Sequence, residues 1–170
     1  MKVFLTNLGK YNEGELVGMW LELPSTEEEL NAALRDIGVG EKYEEYFLTD
    51  YENDMGLEIG EYESLNTLNE VANLISSLNG HGLKTLKAVI QLESPAVSDI
   101  PDIIDRLDEY TLHTDIHDDE DLGRYYIHEL GCYDLESMGR LAKYLDYEAY
   151  GRDIRLESDG GFTSFGWLER

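Results

Sequence analysis

Between Glu41 and Glu63 the chain reads EKYEEYFLTDYENDMGLEIGEYE, in which nine carboxylates meet a single base, Lys42, for a local net charge of −8. A one-signed field opposes compaction, and globular domains normally intersperse both signs. Any fold of this segment must tolerate an uncompensated acidic run. A second run, Asp99 to Asp121 (DIPDIIDRLDEYTLHTDIHDDED), sets ten carboxylates against Arg106, net −9. Between them, Ser64 to Ser98 is neutral because Glu70 and Glu93 offset Lys84 and Lys87. Of the formal net charge of −24, −17 lies in the two blocks. The rest of the chain reads as scaffold for two negative regions.

With 170 residues, 42% of them hydrophobic, the chain can bury a core as one domain or as two or three small ones. Twelve Tyr, four Phe and two Trp, with apolar residues along most of the length, argue against disorder despite the charge. The sign of the charge disfavours a direct nucleic-acid or anionic-membrane partner and favours a basic one. A lone cysteine, Cys132, excludes an internal disulfide framework, and the start MKVFLTNLGK has no long apolar run. The expected location is cytoplasmic.

Periodicity divides the chain into three parts. In the first, Val3 to Leu5 suits a buried strand and Asn7 to Glu15 a loop. Leu16 to Leu23 is a second strand, stopped by Pro24. Ser25 with Glu28 forms a capping-box pattern ahead of a helix with Leu30, Ala33, Leu34 and Ile37 on its apolar face, closed by Gly38. Tyr46 to Leu48 suggests a third strand. The middle part reads as helices: Ser64 to a stop at Asn79-Gly80, Leu83 to Leu92, and a third starting near Asp99 and Pro101. In the last part, a short strand at Tyr110 to His113 precedes a helix from Asp118 to Leu130, which Gly131 ends. Helical spacing resumes over Glu136 to Tyr150, and Asp153 to Leu156 and Phe162 to Leu168 read as strands joined by a turn at Ser158 to Gly161. The uncharged Phe162 to Leu168 would be an edge liability unless covered by a second copy or by its own module. The expected class is α+β, with modules 1–63 (α/β), 64–108 (a short helical bundle) and 109–170 (α/β).

A few of these residues fall in patterns that catalytic or metal sites use. Asp50, Glu52, Asp54, Leu57, Glu58 and Glu61 fall in a calcium-loop register, but its sixth position is Met55 where glycine is needed. His113 and His117 would share a helix face as zinc ligands, yet Thr111, Thr114 and the neighbouring aspartates favour a loop. Among 37 acids, any two match some hydrolase pattern, so such matches carry no information. Cys132 near His128 is better read as a small core residue than as a nucleophile. No GxGxxG or Walker pattern occurs. The composition therefore favours a binding protein without cofactor over an enzyme, with an acidic divalent-metal-binding protein or a halophilic domain as alternatives.

An acidic array can imitate duplex DNA, which presents about one negative charge per 1.7 Å of axis. The chain also carries a resemblance. Asn7-Leu8-Gly9-Lys10-Tyr11-Asn12-Glu13-Gly14-Glu15-Leu16-Val17-Gly18 followed by Trp20 is similar to the opening signature of the ArdA antirestriction proteins. Glu44-Glu45-Tyr46 with Asp50-Tyr51-Glu52, Arg124-Tyr125-Tyr126-Ile127, and Asp146 to Asp153 (DYEAYGRD) follow in the order and approximate spacing of that family. The resemblance runs nearly end to end and is weakest over Ser64 to Ser98.

The resemblance implies a DNA-mimicking inhibitor of type I restriction-modification enzymes, carried by mobile genetic elements. It also implies an elongated, usually dimeric molecule whose acids occupy the DNA groove of the methyltransferase core. The acids assigned to that partner are Glu41, Glu44, Glu45, Asp50, Glu52, Asp54, Glu58, Glu61 and Glu63 in the first block. In the second they are Asp99, Asp102, Asp105, Asp108, Glu109, Asp115, Asp118, Asp119, Glu120 and Asp121. Within the motifs, Gly9, Gly14, Gly18 and Gly151 are expected to serve turns, Trp20 and the tyrosines to pack, and Lys10 and Arg152 to pin loops through ion pairs.

Overall fold

The computed structural model describes residues 1–40, 42–131 and 133–170; Glu41 and Cys132, both singled out above, lie outside the described residues. The chain is α+β. Its contacts gather into two compact units, Met1–Leu83 with Ser94–Asp105, and Lys84–Glu93 with Arg106–Arg170.

The first unit is built on an antiparallel sheet in which β1 (Lys2–Asn7) lies between β2 (Gly18–Glu22) and β3 (Tyr46–Glu52). Val3, Leu5, Leu21 and Leu48 are buried, as strand alternation with one covered face requires. The β1–β3 register shifts between Phe4 and Leu5: Phe4 pairs with Asp50 and Leu5 with Leu48, so Thr49 is the extra residue of a bulge. The segment expected as a loop contains a short helix, α1 (Leu8–Asn12), because Asn7 acts as its N-cap: Oδ1 accepts from Lys10 N while Nδ2 donates to the Ile37 carbonyl at 3.1 Å. Asparagine favours caps and turns alike, and the sequence does not separate the two.

Helix α2 (Glu27–Asp36) starts one residue later than expected. The capping box is Thr26 with Glu29, and the backbone N–H of Thr26, then its hydroxyl, hold the Glu29 carboxyl below its ordinary pKa. Leu30, Ala33 and Ile37 are buried, and Gly38 ends the helix at φ +81°. Helix α3 (Leu65–Ser77) begins at the Ser64 cap. Asn69 on α3 brackets Ser25, accepting from its N–H at 2.7 Å and donating to its carbonyl at 2.9 Å. Helix α3 ends just before Asn79-Gly80, the expected stop, and α4 (Gly80–Glu93) begins at Gly80, three residues ahead of the expected Leu83. A 3-10 turn (Val97–Asp99) and α5 (Ile100–Asp105) complete the unit, with Val97, Ile100 and Ile103 buried.

In the second unit, Gln91 of α4 accepts from the Ser164 N–H and hydroxyl, and Tyr110 donates to Glu93. A three-stranded sheet has β6 (Gly166–Glu169) between β4 (Thr111–His113) and β5 (Gly161–Thr163). The stretch Phe162 to Leu168 is thus a hairpin and not one strand, turning at Ser164-Phe165. Trp167 and Leu168 are buried on its central strand, so the unit itself covers the expected liability. Trp167 packs with Ile116 and Leu122 in a core flanked by Tyr125, Tyr126, Ile154 and Phe162.

Helix α6 (Asp119–Arg124) runs into a π-helical turn at Tyr125–Glu129; α7 (Leu135–Met138) and a 3-10 segment (Gly139–Tyr144) lead to α8 (Tyr147–Glu157). Asp153 to Leu156, expected as a strand, lies inside α8. The helix starts at the Asp146 cap, the helix formers Arg152, Arg155 and Leu156 continue it, and it packs on α6. That contact is backbone on backbone. A Cβ on Gly151 would overlap the Asp119 carbonyl oxygen, and one on Gly123 would overlap the Tyr147 carbonyl oxygen. Gly151 therefore serves close approach and not a turn.

Gly151→Ala is expected to destabilise the protein by roughly 3 kcal/mol or more, because neither helix backbone can retreat without unpacking the Trp167 core. Gly14→Ala, in a turn with open space around it, is expected to cost about 1 kcal/mol through its positive φ alone. Denaturant melts of the two variants check the ranking.

Candidate functional site

The loop after β3 shows how the first acidic block folds. Asn53 organises it: Oδ1 accepts from the N–H groups of Met55 and Leu57, and Nδ2 donates to the Leu57 carbonyl. Met55, Leu57 and Ile59 are buried in alternation with exposed Gly56, Glu58 and Gly60. Leu48 N donates to the Glu61 carbonyl and Leu65 N to the Tyr46 hydroxyl, which ties the loop's end back to β3. Glu44 and Glu45 just before β3, Asp50 and Glu52 on it, and Asp54, Glu58 and Glu61 after it are all exposed; Glu63 is half-buried. Asp50 and Glu52 belong to a strand, so the calcium-loop register does not describe this geometry. Among the described residues no group of three or more His, Cys, Asp or Glu is placed to hold a metal ion.

Cross-strand pairing places the β3 acids on one face of the sheet. Successive rows read Trp20, Phe4, Asp50 and then Glu22, Lys2, Glu52, and Lys2 pairs with Glu22 at 3.4 Å. Glu22 joins the acidic face although the sequence reading had not placed it there. The strand alternation of GMWLE could have found it. Beside this face, Tyr43 lies over Gly9, donates to Glu13 at 2.7 Å and accepts from Lys42 at 2.6 Å. The bond to Tyr43, followed by the charge of Glu13, raises the Lys42 pKa. Lys10 also sits over the Tyr43 ring, 5.9 Å from its centroid.

The second block behaves differently. Asp99, Asp102 and Asp105 belong to the 3-10 turn and α5 of the first unit, whereas Asp108 and all later acids belong to the second. Asp99, Asp102, Asp105, Asp108, Glu109, Asp115, Asp118 and Glu120 are exposed. Several carry structural duties. Asp118 caps α6 through the Asp121 N–H, and Asp121 accepts from the His117 N–H. Glu120 pairs with Arg124 one turn on, and Glu109 with Arg170 at 2.8 Å. Asp119, 20% exposed, takes two bonds from Arg155 at 2.7 and 3.0 Å. These bonds hold its carboxyl below the usual range against the opposing effect of burial. The cluster Asp119, Glu120, Asp121 also suits the positive end of α6. His113 lies on β4 and His117 in the turn beyond it, so they share no helix. His113 Nε2 is 3.0 Å from a Glu169 carboxylate oxygen, and Trp167 and Tyr126 donate to the other oxygen.

A family model described as antirestriction protein (ArdA) matches residues 3–169. No match was found among curated proteins. Among the described residues no helix is long and apolar enough to cross a membrane.

Because Asp119 is held below its ordinary pKa, the stability it contributes is fully present above its unfolded value of about 4 and is lost as pH falls through the lower folded value. Asp119→Asn is expected to lower the melting temperature by on the order of 5 °C at pH 7. The gap to the parent protein should narrow below about pH 4 and close once Asp119 is protonated in the folded state. Calorimetry across that range checks both signs.

Proposed function

This chain belongs to the ArdA family of antirestriction proteins, and we propose that it acts as a DNA mimic. In this reading it inhibits type I restriction-modification enzymes by occupying the DNA groove of their methyltransferase core. The observation that carries the reading is the charge: a net −24 whose largest concentrations stand exposed on strand β3, its loop and the 99–121 segment. At one charge per roughly 1.7 Å, that total equals the phosphate charge of about 12 base pairs. A homodimer, which we include in the proposal, would carry that of about 24. Along β3, alternate acids repeat at about 7 Å, too sparsely to reach duplex density alone. The loop acids and the second block must therefore contribute. The protein catalyses nothing in this reading, works in the cytoplasm, and needs neither cofactor nor direct contact with nucleic acid. The same proposal keeps an elongated molecule with modules 1–63, 64–108 and 109–170, which small-angle scattering would test.

Duplex DNA and this protein are expected to displace each other from a purified methyltransferase core, with affinity falling steeply as salt rises. Binding indifferent to both would overturn the reading. Within the complex, Glu44→Gln, Asp50→Asn, Glu52→Gln, Asp54→Asn and Asp115→Asn are each expected to change the dissociation constant by less than about five-fold, since exposed charges contribute about 1 kcal/mol or less. Combined, they should weaken binding progressively and flatten the salt dependence. Complete loss from any one, with the fold intact, would point to a discrete site instead.

A further inference from the structure

Phosphate mimicry needs carboxylates but no rings, yet the sheet face that carries Asp50 and Glu52 also carries the exposed Trp20 and the half-buried Phe4, with exposed Tyr11 and Tyr62 packed against its buried Phe47. Trp20 and Phe4 sit next to each other in one cross-strand row, their centroids 5.4 Å apart and nearly perpendicular, and Asp50 completes that row. One row further along the same face stand Thr6 and Phe47, brought there by the bulge at Thr49. Phe47 meets Tyr11 edge-on at 5.1 Å and stacks with Tyr62 at 6.5 Å. Trp20 is 41% exposed, Tyr11 51% and Tyr62 74%. On the opposite side of the Trp20 row lie Glu22, Lys2 and Glu52. Trp20 and the half-buried Phe4 are held on strands, with Asp50 one strand spacing, about 5 Å, from Phe4 and with Glu22 and Glu52 one row, about 7 Å, further along; together they form a composite surface.

We propose that this face is a docking surface for arginine side chains of the basic groove of the restriction enzyme, an inference that rests on the reading above. Arginine fits both parts of the surface. Its guanidinium is planar and weakly hydrated, stacks on aromatic faces, and offers a fork of donors matched to a carboxylate. A guanidinium over Phe4, flanked by the Trp20 ring on one side, reaches Asp50 on the neighbouring strand, and one beside it reaches Glu52; Tyr62 and Tyr11 supply a second stacking position by Phe47. Lys2, engaged by Glu22, closes one side. A second copy of this chain is the wrong occupant, because it would bring another net −24 against the same acids. The rings give contact energy that salt does not screen, and the acids give attraction that it does.

The test is the dissociation constant of the full-length protein for a purified type I methyltransferase core, measured over a salt series. Trp20→Ala and Tyr62→Ala are expected to weaken binding about ten-fold at every salt concentration, with the slope against salt unchanged. Trp20→Phe should recover most of the loss, and the double change Asp50→Asn with Glu52→Gln should alter the slope. If Trp20→Ala does not fold, Tyr62→Ala decides, since its ring is mostly in solvent. Parent-like affinity in the ring variants, while the amide series still weakens binding, overturns the docking surface and leaves mimicry standing. A change in oligomeric state on losing Trp20, seen by light scattering, also overturns it in favour of a second copy. Absence of binding by the parent protein overturns both readings together.

Discussion

Mutual repulsion among 37 carboxylates, opposed by only 13 lysines and arginines, is the condition every part of this fold has to meet. The main response is backbone, not counter-charge. Acids gather where unpaired N–H groups of a helix start are available: Glu27 to Glu29 on α2, Asp118 to Asp121 on α6, Asp134 before α7 and Asp146 before α8. Asp118, Asp134 and Asp146 each accept a first-turn N–H that the helix would otherwise leave to water, and the acids beside them are favoured by the positive end of the helix. The fold places negative charge where the backbone already favours it.

The two units meet the condition in different ways. In the second, arginines are used one at a time and with good geometry: Arg155 on Asp119, Arg124 on Glu120, Arg170 on Glu109. In the first, alternation does most of the work. Met55, Leu57 and Ile59 turn inward, so the residues between them stay outside without any ion pair being required. The consequence is a division of labour: Glu44, Glu45, Glu52, Glu58 and Glu61 stand exposed to solvent, whereas much of the Asp118 to Asp121 cluster is occupied in holding α6.

How much of this was legible follows from which signals are local. Strand β1, the face of α2 and the core positions of α3 follow from period alone, and the Ser64 cap sits where the pattern puts it. The run Asp153 to Leu156 is composed of residues that a helix accepts, and the Asp146 cap was the local signal for it; the approach of Gly151 to Gly123 then fixes where the helix packs. The glycine misreadings have a common cause in tertiary contact. Of the four motif glycines expected in turns, Gly14 is in one; Gly9 lies under Tyr43, Gly18 against Phe4, and Gly151 against α6. At the candidate surface, the charge was visible in composition, but its pairing was not. Asp119 and Asp50 are the same residue type in similarly acidic runs, and only the fold gives one a guanidinium and the other a place beside aromatic rings.

The position of β3 at the edge of its sheet has a further effect. An edge strand exposes unpaired backbone groups that can recruit a strand from another molecule, and nascent or crowded chains associate through such edges. Beyond Leu48, whose N–H is taken by the 57–63 loop, β3 continues as Thr49, Asp50, Tyr51 and Glu52, an edge whose charges repel a like strand. The β3 acids thus guard against aggregation, and in the proposed mimicry the same acids meet the partner. Sequence drift toward neutral residues on β3 would erode solubility as well as the proposed recognition, so under that proposal two independent pressures hold the same few side chains acidic.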